Sequence, residues 1–106
     1  MKAFAFTQSL PIDHPDALQA IELPTPTPEA HDIRVAVSAI SVNPVDAKVR
    51  NSALPESGEP RVLGYDAVGV VDAIGSAVTR FQPGDRVWYA GNIARQGSNA
   101  EYQLVD

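Results

Sequence analysis

Side chains able to do chemistry gather in two short runs of this chain, Ser41-Val42-Asn43-Pro44-Val45-Asp46 and Leu63-Gly64-Tyr65-Asp66-Ala67-Val68-Gly69. The first places an amide and a carboxylate in a loop that follows an apolar strand. The second places a phenol and a carboxylate between two glycines, ahead of another apolar strand. Amide and phenol groups can donate hydrogen bonds to an oxygen that gains charge, and carboxylates can orient such donors. Polar groups at strand ends, held by glycine and proline, are a common way for a β scaffold to present a site.

The elements that must position these runs read mostly as strands and turns, because nine prolines and seven glycines punctuate short apolar stretches. Residues 2–7 and 17–23 read as the first two strands. Pro24-Thr25-Pro26-Thr27-Pro28 reads as a stiff extended spacer, since proline fixes φ and offers no N–H to a sheet. The clearest strand is 33–40, with Ile33, Val35, Val37 and Ala39 on one face. Residues 44–50 suit a short helix, with Asn43 at the N-cap and Pro44 in the first helical position. Residues 52–60 form a polar loop, and 67–74 a strand with apolar residues on both faces. Pro83-Gly84-Asp85-Arg86 is a turn of the type II kind leading into strand Val87-Trp88-Tyr89. Trp88 and Tyr89 are expected in the core or at a barrel rim. A polar loop follows over 91–99, and a last strand over 100–105. The fold class is mostly β, an antiparallel-rich barrel or sandwich with one short helix.

A length of 106 residues fits one domain, residues 1–106, and 44% apolar residues suffice for a modest core. A formal net charge of −5 argues against non-specific nucleic-acid binding, which needs clustered Lys and Arg. There are no cysteines, so neither disulfides nor thiolate metal sites can form. The two histidines, His14 and His31, stand apart and read as exposed loop residues. The N-terminus has no signal-peptide pattern, and no apolar run is long enough to span a membrane. A cytoplasmic protein is expected.

The run from Ala39 to Asp46, then Arg50, the run Leu63-Gly64-Tyr65-Asp66-Ala67-Val68-Gly69-Val70-Val71, Gly75, Phe81, Pro83-Gly84-Asp85-Arg86-Val87 and Ala100-Glu101-Tyr102 together resemble the N-terminal half of the medium-chain dehydrogenase/reductase superfamily. The likeness is closest to the zinc-free quinone oxidoreductase branch and its zinc-type alcohol dehydrogenase-like relatives. It implies a GroES-like β-barrel, the catalytic domain of these enzymes. In zinc-dependent members a cysteine stands at the position of Asn43 and a histidine at that of Tyr65. The loop that elsewhere carries four structural cysteines corresponds to residues 91–99, which contain none. No zinc is therefore expected at either place.

Without a Lewis acid, the resemblance implies NADPH-dependent hydride transfer to a conjugated carbonyl, a quinone or an enone. Asn43 would face nicotinamide and substrate, making it both a catalytic and a cofactor-binding residue. Tyr65 would be a pocket wall and possible donor, and Asp46 would steady the site. Each has a plainer reading. Asn43 suits an N-cap, Asp46 could bond backbone near a helix start, and Tyr65 could be a boundary aromatic. Asp66 is expected to be an ion-pair partner of Arg50 or Arg86. No G-x-G-x-x-G turn occurs, so a dinucleotide-binding domain is expected outside this sequence. The fragment alone is expected to be inactive, and exposed sheet edges favour a homodimer. The alternative is a non-enzymatic GroES-like assembly or binding module, or a remnant that binds a small aromatic ligand.

Overall fold

The computed structural model describes residues 1–52 and 59–106; most of the expected 52–60 loop, residues 53–58, lies outside the described residues. Among the described residues, seven strands and one helix follow one another as β1 (Lys2–Phe6), β2 (Gln19–Glu22), β3 (Ile33–Ser41), α1 (Pro44–Ser52), β4 (Arg61–Val62), β5 (Asp66–Ile74), β6 (Arg86–Ala90) and β7 (Tyr102–Val105). All the strand pairs are antiparallel. They form a three-stranded sheet ordered β2-β1-β4 and a four-stranded sheet ordered β6-β5-β3-β7. The chain is mostly β with one short helix, as the sequence implies, but its backbone ladders do not close into one barrel.

Alternation decides which faces are buried. On β1, Ala3 and Ala5 point inward and pack with Val62, while Lys2 and Phe4 point out. On β3 and β5, Ile33, Val35 and Val71 form a second cluster, with Val87 and Tyr89 of β6 packed against it. Strand β2 is shorter than the alternation suggests, because Ala17 is spent in a turn, its N–H donating to the His14 carbonyl at 3.1 Å. The long β3–β5 ladder carries two irregularities, between Arg34 and Val35 and between Val37 and Ala39. At the first, Asp72 is the extra residue, and Arg34 grips it through two hydrogen bonds of 2.9 and 3.1 Å. Beyond the second, the expected cover on both faces of β5 fails: Val68 is 40% exposed.

The four-stranded sheet curls strongly. Strands β6 and β7 are its two edges, yet the Tyr89 hydroxyl donates to Gln103 Oε1 at 2.6 Å, so one side-chain pair reaches from edge to edge. Side chains thus bridge what the backbone leaves open. Trp88, next to Tyr89, is expected in the core or at a rim; it is 85% exposed, so the core alternative fails. At the foot of β6, Gly84 adopts φ +100°, and the Asp85 N–H donates to the Gln82 carbonyl at 3.1 Å, the geometry Pro83-Gly84 demands of a type II turn.

The 91–99 loop is pinned by polar contacts. Arg95 makes a two-pronged pair with Asp32, at 2.9 and 3.0 Å, and Asp32 also accepts the Glu29 N–H at 3.2 Å. The Gln96 side chain accepts the Val62 N–H at 2.6 Å and donates to the Pro60 carbonyl at 2.9 Å. No cysteine or metal is needed for these contacts. His14 and His31 are exposed, as expected of loop histidines.

Two predictions follow the ionisable groups. The hydrogen bonds from Arg95 hold the Asp32 carboxyl below its ordinary value of 3.8. Asp32→Asn should cost about 1–2 kcal/mol at neutral pH, toward the low end because 34% of the Arg95 side chain stays in solvent. The wild-type advantage should be complete above pH 3.8 and vanish as pH falls through the lower folded-state value, as read by urea denaturation across a pH series. Burial pushes the Tyr89 hydroxyl up to about 12 from 10.0. Wild type should therefore exceed Tyr89→Phe by about 1 kcal/mol up to pH 10, and lose that margin as pH rises through about 12.

Candidate active site

Helix α1 begins where the sequence places it, with Asn43 at the cap and Pro44 first in the helix. The free N–H groups of a helix start need acceptors. Asp46, in the first turn, supplies one: its Oδ2 accepts the Asn43 N–H at 2.8 Å, half of a capping box. Its other oxygen, Oδ1, accepts the Gly64 N–H at 3.2 Å. Asp46 is buried, so this one carboxylate joins the helix start to the segment entering β5. Both readings of Asp46 thus describe the same contacts: it bonds backbone at a helix start, and by doing so it steadies the two runs.

The cap reading of the Asn43 side chain is not what the structure shows. Its Nδ2 turns away from the helix and donates to Asp66 Oδ2 at 2.7 Å. Asp66 in turn departs from the expected ion pair with Arg50 or Arg86. Arg50 instead bonds the Leu10 carbonyl and, at 2.9 Å, the Asn51 side chain. The physical reason is register. Asp66 lies opposite Ser41 on one side and Ala90 on the other, so the chain leaving β3 carries Asn43 over it.

An open cleft of about 370 Å³ runs along this register, lined by Ile40, Ser41, Asp66, Val68, Trp88 and Ala90 among others. Its walls are apolar apart from Ser41 and the Asp66 carboxylate. Asn43, Asp46 and Tyr65 are not in that lining; Asn43 meets the cleft through its bond to Asp66. The Tyr65 ring packs with Phe6 and Leu63 in a buried cluster against Val45 and Val49 of α1. Its hydroxyl is buried and, among the described residues, has no hydrogen-bond partner. The structure therefore brings Asn43, Asp46 and Asp66 together and sets Tyr65 behind them.

Gly64 makes this junction possible. It adopts φ +99°, and a Cβ there would run into the Ser98 and Asn99 side chains. The Ser98 and Asn99 N–H groups donate to the Gly64 and Leu63 carbonyls, both at 2.9 Å, so the end of the 91–99 loop backs the junction. Sequence reasoning missed Ser98, Asn99 and the Asp66 acceptor. The pairing of β3 with β5 would have revealed the last, since it sets Asp66 against Ser41.

The donors do not fit a zinc centre. Among the described residues no three of His, Cys, Asp and Glu come together. Both Asp46 oxygens are engaged by backbone N–H groups, and Asp66 holds an amide.

The alcohol dehydrogenase GroES-like domain family matches residues 29–106. A zinc-type alcohol dehydrogenase-like protein of Staphylococcus aureus (strain COL) is 50% identical over 99% of this chain and 31% of its own length. A solved structure from Rhizobium etli CFN 42, assigned there to the zinc-dependent alcohol dehydrogenases, superposes with a TM-score of 0.96 at 54% identity, over 100% of this chain and 31% of that one. The Escherichia coli quinone oxidoreductase, solved in complex with NADPH, superposes with a TM-score of 0.78 at 29% identity, over 99% and 31% of the two chains. The chain belongs to the alcohol dehydrogenase GroES-like domain family, the N-terminal domain of medium-chain dehydrogenase/reductase proteins. It spans about a third of the length of the curated relatives it matches.

Gly64→Ala should destabilise the fold by about 1–3 kcal/mol, through strain at positive φ and collision with the Ser98–Asn99 turn. Thermal melts check the loss. Amide shifts should move at Asn43 and Asp66 and stay put at Gly84, whose equally left-handed backbone faces open space.

Proposed function

We propose that this domain belongs to an NADPH-dependent, zinc-independent oxidoreductase that reduces quinones or enones, and that it supplies the acceptor side of the active-site cleft. The observation that supports the reading is the Asn43 amide, bonded to Asp66 at the edge of a largely apolar cleft. The NADPH complex of the Escherichia coli quinone oxidoreductase, a relative of matching fold, supports the choice of cofactor.

When bound, the nicotinamide supplies a hydride to the β-carbon of a conjugated carbonyl. Charge then grows on the carbonyl oxygen, and a preorganised donor there lowers the barrier. Asn43 Nδ2 carries two hydrogens. One is committed to Asp66, and the other is the donor we assign to the acceptor oxygen or to the nicotinamide. Asp46 holds the loop that carries Asn43. Tyr65 forms the wall behind α1, its part being packing rather than donation into the cleft. The apolar lining suits the flat face of a quinone or enone. By itself the 106-residue chain is proposed to turn over little, since reaction requires cofactor and acceptor held within near-attack distance. A cytoplasmic homodimer completes the proposal.

The full-length protein should oxidise NADPH in the presence of a quinone such as 1,4-benzoquinone without added metal and after exhaustive chelation. Asn43→Ala should lower kcat about 10²-fold, with thermal melts showing that the variant still folds. Loss of activity on chelation, restored by zinc, would contradict the reading.

A further inference from the structure

We infer that Asp66, itself part of the cleft lining, is a positioning residue that fixes the Asn43 amide with its donor end at the edge of the cleft. The inference rests on the proposed function above and adds a residue to it. An asparagine amide can be turned end for end with little steric cost, exchanging a donor for an acceptor at the same place. A donor role in catalysis therefore needs something that removes the wrong orientation. An ionised carboxylate accepts hydrogen bonds and donates none, so it tolerates Nδ2 at its side and rejects Oδ1. Asp66 Oδ2 sits 2.7 Å from Asn43 Nδ2. The strand register holds Asp66 rigidly, between Ser41 of β3 and Ala90 of β6. Its partial burial and the apolar residues around the cleft strengthen the bond relative to one in water. Ser41 and Ala90, its cross-strand neighbours, bring no competing cation. The consequence is a fixed polarity: one Asn43 N–H is spent on Asp66, and the remaining N–H is set toward the acceptor by the same bond.

The test is a double-mutant cycle in the full-length protein, with a spectroscopic readout beside it. Asp66→Ala, Asn43→Ala and the double variant are compared for kcat with NADPH and 1,4-benzoquinone, with thermal melts as the check on folding. If Asp66 acts through Asn43, its removal lowers kcat at least 10-fold in wild type, changes kcat less than 2-fold in the Asn43→Ala background, and Asp66→Glu restores part of the loss. Equal losses in both backgrounds would overturn the inference, since Asp66 would then act directly. In ¹⁵N-asparagine-labelled protein, the two Asn43 side-chain protons should be well separated in wild type and converge in Asp66→Ala. Unchanged signals would also overturn it. Should Asp66→Ala fail to fold, Asp66→Ser serves in its place. The spectroscopic arm needs no turnover, so it distinguishes failure of this inference from failure of the proposed reaction.

Discussion

The candidate site depends on one carboxylate. Asp46 accepts an N–H from Asn43 with one oxygen and an N–H from Gly64 with the other, 2.8 and 3.2 Å away. These amides belong to segments that meet only in the folded state: the chain leaving β3 into α1, and the chain entering β5. Hydrogen bonds to a buried charge contribute about 1.5–3 kcal/mol each, whereas an unpaired buried carboxylate would cost several times that. The two contacts are therefore coupled, and the geometry of Asn43 against Asp66 follows from them.

Around this junction the β scaffold is held together by polar side chains in places where backbone pairing stops. Tyr89 and Gln103 connect the outer strands of the curled sheet, and Gln103 also donates to the Gln96 carbonyl at 3.3 Å. Gln96 and Arg95 fasten the 91–99 loop to β4 and to the turn before β3. The end of that loop, Ser98 and Asn99, supports Gly64. A chain of contacts thus runs from the Asp32–Arg95 pair, through the loop, to the residues that set the cleft. Among the described residues, hydrophobic burial comes in three small clusters rather than one large core, which is why such contacts matter in a domain of this size.

Much of this was legible in the sequence, and the remainder fails for a physical reason. Strand β3 announces itself by alternation, β5 by its apolar run, α1 by Asn43-Pro44, and the β6 turn by Pro83-Gly84, because each is a local preference. The family follows from motifs in order along the chain. Long-range partnerships were not legible. Asp32 and Arg95 lie 63 residues apart, and nothing near either residue names the other. Asp66 looked like an ion-pair partner because arginines were available; the β3–β5 register gave it an amide instead. Trp88 read as a core or rim aromatic by type; its position on β6 turns it outward beside Val68, along the cleft. Asn43 looked like a side-chain cap; its side chain bonds Asp66 instead, and Asp46 supplies the other half of a capping box by accepting the Asn43 N–H.

The most direct measurement is native-state hydrogen exchange at the Asn43 and Gly64 backbone amides, in wild type and in Asp46→Ala. A shared clamp predicts that both amides are protected in wild type and that both speed up together, by about 100-fold, while the Val71 amide, which donates to the Asp85 carbonyl, keeps its protection. If the two amides exchange at unchanged rates in the variant, or if only one responds, the carboxylate does not join the two segments and the account of the site fails.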